Sequence, residues 1–133
     1  MIVVDTSAWV ELLRRSGSAV HLELRRLLAG SAEIAVTEVV VMEVLAGARD
    51  TRQLRELHSR LLAFPLLRLR GLRSFEAAAE LARLCRAAGE TVRRTSDCLI
   101  AVPAIEAGAT LLHADRDFEK LARHTSLRLH QLE

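Results

Sequence analysis

The chain has 133 residues, half of them hydrophobic, with 19 basic and 17 acidic side chains and a formal net charge of +2. That length suits one domain (residues 1–133) with one sizeable core, and that hydrophobic fraction excludes a disordered chain. The apolar runs are too short to span a bilayer, and the first meets Asp5 at once with no basic stretch before it, so neither a membrane span nor a signal peptide is expected and the expected location is cytoplasmic. All basic residues except Lys120 are arginines, a balance that permits nucleic-acid binding without demonstrating it.

Residues 2–5, Ile-Val-Val-Asp, read as a short buried strand, and Ser7 to about Arg15 as a helix closed by Gly17. Val20, Leu24, Leu27 and Leu28 mark the apolar face of a second helix that ends at Gly30-Ser31. Residues 34–36 form a second strand, and Thr37 is placed to cap an unusually apolar helix from Glu38 to Ala48, with Glu43 at its middle. Residues 51–63 alternate leucine and arginine at helical spacing, and residues 65–69 form a third candidate strand.

Ser74 is expected to cap a helix carrying Phe75, Ala78, Ala79, Ala82 and Cys85 on one side, stopped by Gly89. Thr95 or Ser96 is expected to cap a nearly uncharged helix over 98–107, which Pro103 interrupts. Thr110-Leu111-Leu112 is a fourth strand, Asp115 begins a last helix through Arg123, and residues 127–129 form a short final strand. Strands this short and apolar, alternating with helices, predict an α/β fold: a three-layer α/β/α sandwich around a mostly parallel sheet. Cys85 and Cys98 sit in apolar helical patterns and read as buried free thiols.

Most acidic residues lie among arginines on polar helix faces, but a few do not. Asp5 ends a buried strand, where open α/β sheets build their sites and where an acid also caps a following helix. Glu43 shares its helix face with Val39, Val40, Ala46 and Gly47, a costly place for a charge unless something neutralises it. Asp97 opens the uncharged helix, and Asp115 and Asp117 repeat the Asp5 arrangement after the fourth strand. Carboxylates gathered at one place cannot all stay ionised without cations, and hard oxygen ligands without Cys or His select Mg²⁺ or Mn²⁺. Such a site suits metal-assisted hydrolysis of a phosphodiester.

Ile2-Val3-Val4-Asp5-Thr6-Ser7-Ala8-Trp9, the mid-helix Glu43, Ser96-Asp97-Cys98-Leu99-Ile100-Ala101 and Asp115-Arg116-Asp117-Phe118 together resemble the successive motifs of PIN-domain nucleases, in size and spacing the VapC-like toxins of toxin–antitoxin modules. The resemblance covers essentially the whole chain. It implies a PIN-like fold and a metal-dependent endoribonuclease using Mg²⁺ or Mn²⁺, with Asp5, Glu43, Asp97 and Asp115 as the catalytic acids and Asp117 as an accessory. By the same likeness Asp5 and Asp97 are direct metal ligands, whereas Glu43 and Asp115 bind metal directly, bind through water, or position the attacking water. It also implies that Thr6 and Ser7 contact substrate beside the first aspartate. The implied partners are an RNA substrate and a small VapB-like antitoxin on a homodimeric toxin, as a heterotetramer or larger, with no membrane. His113 departs from the pattern, standing where a Thr or Ser is common.

Arg93 and Arg94, just before Asp97, are the preferred candidates for contacts to RNA phosphates, ahead of Arg68, Arg70 and Arg73. Trp9, Phe64, Phe75 and Phe118 all sit in core-like patterns, which leaves no aromatic cluster for base stacking. A phosphotransferase using Asp5 as nucleophile is a weaker reading, because Ser7 stands where a second aspartate is wanted and Lys120 is the only lysine. A non-catalytic PIN-like module that binds RNA or a partner is the remaining alternative.

Overall fold

The computed structural model describes residues 1–132. In chain order its elements are β1 (Ile2–Val4), α1 (Thr6–Leu13), α2 (Ala19–Ala29), β2 (Ile34–Thr37), α3 (Glu38–Ala46), α4 (Thr51–Leu61), β3 (Leu66–Leu67), α5 (Leu72–Ala87), α6 (Thr95–Glu106), β4 (Thr110–Leu112), α7 (Asp117–His124) and β5 (Arg128–Leu129). The five strands make one sheet in the order β3-β2-β1-β4-β5, and every pairing is parallel. Parallel strands need crossovers, and helices supply them. Val3 and Val4, Ala35 and Val36, and Leu111 and Leu112 are all buried. Neighbouring residues on a strand face opposite ways, so helices cover both faces, giving the α/β/α layering.

The chain leaves β1 toward β2 and β3 on one side and returns to β4 on the other, so the strand order reverses between β1 and β4. Ile2, Val3 and Val4 lie in register with Thr110, Leu111 and Leu112. The Asp5 N–H donates to the Leu112 carbonyl at 2.9 Å, which carries the ladder one residue beyond the strands. Asp5 and the β4–α7 loop therefore emerge side by side at the carboxyl ends of the sheet, where such folds bind ligands.

Several expected boundaries move for physical reasons. Asp5 is the N-cap of α1 rather than the last strand residue, because its side chain accepts from the Ser7 N–H. Ser74 does not cap α5: Gly71, at φ +58°, opens it three residues earlier, and the Ser74 hydroxyl instead accepts from the Arg70 N–H. Thr95 and Ser96 lie inside the first turn of α6, which puts Asp97 in that turn as well. The helix continues through Pro103 to Glu106. Asp115 precedes α7, and its carboxylate accepts from the Asp117 N–H at 3.0 Å, doing the capping from two residues back. Phe75 is 52% exposed, because α5 buries the stripe of Ser74, Ala78 and Cys85 instead. Cys85 and Cys98 are buried free thiols, as expected.

Candidate metal centre

Four chain segments bring their acids to one end of the sheet. Asp5 is held by β1 below and by the first turn of α1 above. Its Oδ2 accepts from the Ser7 N–H at 2.9 Å and from the Ser7 hydroxyl at 2.5 Å. The Ser7 hydroxyl oxygen in turn accepts from the Ala114 N–H at 2.8 Å. One serine thus ties the β1 acid to the loop that carries Asp115. Thr6 turns the other way and donates to Glu43 Oε1 at 2.6 Å, fixing the α3 carboxylate beside it. Both hydroxyls expected to face substrate are engaged with carboxylates.

Glu43 is half-buried rather than enclosed, since only Val39 and Val40 of its expected apolar neighbours are buried while Ala46 and Gly47 are exposed. It sits at the rim of a pocket of about 320 Å³ lined by Asp5, Thr6, Ser7, Glu11, Glu43, Arg94 and Asp97 among others. Glu11 was not anticipated. Its signal was present, because it lies four residues after Ser7 on α1 and so shares that face.

Asp97 is the strained member. Its side chain is 4% exposed, and its Oδ2 is buried with no hydrogen-bond partner among the described residues. Burial, with the charges of Asp5, Asp115 and Asp117 adding and Arg94 opposing, pushes its carboxyl up to about 7. Burial also raises Asp5 above the usual carboxylate range, against the hydrogen bonds from Ser7 and Thr6 and with a small push from Glu43. Both shifts carry one message: the protein alone does not neutralise this cluster.

Asp115 and Asp117 are placed differently. Asp117 is almost fully buried, yet its oxygens are taken by the Arg93 N–H at 2.8 Å, the Arg93 Nε at 3.2 Å and Lys120 Nζ at 2.9 Å. Burial acts to raise its carboxyl, but these bonds outweigh it and hold Asp117 below the usual range. Asp115 Oδ1 accepts from Arg93 Nη2 at 3.0 Å and Oδ2 from Arg94 Nη2 at 2.6 Å. Asp97, Asp115 and Asp117 each offer an oxygen within 4.8 Å of the others.

Arg93 and Arg94 therefore reach the site, while Arg68, Arg70 and Arg73 do not line the pocket; Arg70 pairs with Glu106 at 3.7 Å. The His113 Nδ1 accepts from the Asp115 N–H at 3.1 Å, and its ring packs 5.5 Å from Phe118. Lys120 donates to Asp117 and to the Thr91 carbonyl and is absent from the pocket wall, which removes the phosphate-binding lysine that a phosphotransferase would need.

An all-oxygen donor set around a buried orphan oxygen fits a hard divalent cation. The arrangement can hold such an ion, and its pocket opens to an anionic substrate beside Arg94.

Comparison with known proteins agrees with this geometry. Residues 2–124 match the family model described as PIN domain. The chain is 46% identical over 128 residues to "Ribonuclease VapC11" of Mycobacterium tuberculosis, covering 96% of each chain, and equally to "VapC ribonuclease Mb1587" of Mycobacterium bovis. Among solved structures, VapBC2 from Rickettsia felis, bound to a DNA fragment of its promoter, aligns over all of both chains at TM-score 0.72 and 20% identity. VapC20 of Mycobacterium tuberculosis, described as a sarcin-ricin loop cleaving toxin, aligns over 96% of this chain and 99% of its own at TM-score 0.70 and 20% identity. The structural likenesses are likenesses of fold.

Proposed function

This chain belongs to the PIN domain family and, within it, to the VapC ribonucleases, and from that membership we propose that it is a metal-dependent endoribonuclease, the toxin of a toxin–antitoxin pair. The observation that carries the reading is the Asp97 Oδ2, buried without a partner among acids at the strand-order reversal. Asp5, Asp97 and Asp115 would hold the ion, Mg²⁺ or Mn²⁺, and Glu43 would act through water or orient the attacking one. When bound, the ion activates water and stabilises the charge developing on the phosphate. The protein's own part is to fix those oxygens. Ser7 aligns Asp5 against the β4–α7 loop, and Thr6 keeps Glu43 turned into the pocket.

Cleavage of RNA is expected to vanish in EDTA and to return with added Mn²⁺ or Mg²⁺, followed on labelled RNA by gel. Undiminished cleavage in EDTA would overturn the reading. Sequencing the new 5′ ends that appear after brief expression identifies the RNA. Ser7→Ala is expected to reduce cleavage by about 10- to 100-fold at saturating Mn²⁺, as loss of a ligand-orienting partner does. The same change costs about 1–2 kcal/mol of stability, because the Ala114 N–H loses its acceptor. Urea unfolding beside the activity assay reads both.

A small antitoxin is the proposed partner, on a toxin homodimer in the cytoplasm, forming a heterotetramer or larger assembly. An exposed groove supports it: Leu13, Leu22 and Leu28 face solvent on α1 and α2 beside Arg15, Arg25 and Arg60. An adjoining apolar pocket is lined by Trp9, whose buried Nε1–H has no partner among the described residues.

A further inference from the structure

We propose that Arg94 is an exchangeable internal counterion of the acidic site, which occupies Asp115 until a divalent ion binds and then turns to the RNA phosphate. This rests on the nuclease reading above.

Arg93 and Arg94 are sequence neighbours, but the structure gives them different work. Arg93 is fixed by its backbone N–H and Nε on Asp117 and by Nη2 on Asp115. Three anchors, one of them main chain, make it a strut. Arg94 has one short bond, Nη2 to Asp115 Oδ2 at 2.6 Å. Its Nε stands 4.0 Å from Asp97 Oδ2, too far for a hydrogen bond, so that oxygen stays orphaned. The Arg94 side chain is 60% exposed, and it is the one basic residue lining the pocket with Asp5, Glu43 and Asp97.

A guanidinium is an incomplete substitute for a divalent ion here. It brings one charge and leaves an acceptor unpaired, whereas Mg²⁺ draws carboxylate oxygens to about 2.1 Å with twice the charge. An ion taking Asp97 and Asp115 displaces Arg94 from its only short bond. The freed arm, exposed at the pocket rim, then meets the other anion present. A phosphodiester suits its planar fork better than it suits a lysine. Arg94 thus screens the empty site from self-repulsion and binds substrate in the loaded one, while Arg93 holds the scaffold throughout.

The test combines Mn²⁺ titration calorimetry without RNA and steady-state cleavage of a fluorophore–quencher single-stranded RNA at saturating Mn²⁺. Arg94→Gln is expected to bind Mn²⁺ about three- to tenfold tighter, the range set by losing a partly exposed ion pair. Its kcat/KM is expected to fall at least about tenfold, mostly through KM, with Arg94→Lys recovering part of the loss. A residue that merely supports the fold would weaken both. Unchanged or weaker Mn²⁺ binding by a folded Arg94→Gln, or full cleavage at saturating Mn²⁺, overturns the exchange. Wild-type protein that binds no Mn²⁺ and cleaves no RNA defeats the nuclease reading itself, so the two failures are separable.

Discussion

Asp97→Asn is expected to lower RNA cleavage by about a thousandfold or more while making the metal-free protein harder to unfold. The activity loss follows from the proposed role of Asp97 as a direct ion ligand, since a Lewis acid supplies several kcal/mol and about 1.4 kcal/mol is a tenfold change in rate. The stability gain follows from the same carboxylate's surroundings. A carboxyl held up to about 7 corresponds to a penalty on the order of 4 kcal/mol for keeping Asp97 ionised. Asparagine removes the charge but leaves a polar group short of partners, so a gain of about 1–2 kcal/mol is expected at pH 8. Urea unfolding in EDTA, beside the RNA assay, checks both. A variant that keeps activity, or one destabilised at pH 8, would count against the site.

The pH dependence carries the same sign. Between about pH 4 and pH 7 the folded chain holds a proton on Asp97 that the unfolded chain has released, so stability falls as pH rises through that window and levels off above it. Asp5, raised by burial, acts in the same direction. Asp117 and Glu23, both held low, contribute stability that is present at neutral pH and lost in acid. Facing Asp97 are Asp5, Arg94, Asp115 and Asp117, and among these Arg94 alone opposes the rise. Thermal scans in EDTA are expected to give a lower Tm at pH 8 than at pH 6 for the wild type and a flatter profile for Asp97→Asn. Added Mn²⁺ should restore the wild-type Tm at pH 8, because a ligand that binds only the folded state stabilises it.

The central strands β1, β2 and β4 were legible because each is a short run of mostly apolar residues between helical patterns, and the bounds of β4 match the sequence reading. The acids were legible for the opposite reason, as charges where apolar patterning should exclude them. Two kinds of feature were not. Periodicity marks a helix but cannot choose between competing stripes, so Phe75 on α5 was put inside while the smaller Ser74, Ala78 and Cys85 took the buried face. Pairings between distant segments were also hidden. Arg93 lies 24 residues from Asp117 and Arg94 21 from Asp115 in the chain, and only tertiary packing joins them.

Asp117→Ala is expected to cost about 2–4 kcal/mol of stability, because its carboxylate ties together the segments that carry the site. Its nearly buried carboxylate joins the Arg93 main chain ahead of α6 to Lys120 one turn into α7. Lys120 extends the link to the Thr91 carbonyl. Removing one member of a buried charge network costs about 3–5 kcal/mol, reduced here because water reaches Arg93 and Lys120. The segments so joined carry Asp97 and Asp115, so activity is expected to fall with the fold. Asp117→Asn retains part of the hydrogen bonding and is expected to lose roughly half as much stability. Its Mn²⁺ affinity, measured by calorimetry where it is fully folded, should stay within about threefold of wild type. An Asp117→Asn protein as stable as wild type whose Mn²⁺ binding collapses would make Asp117 a ligand after all. That outcome would also require Arg93 and Lys120 to release it, for they occupy its oxygens now.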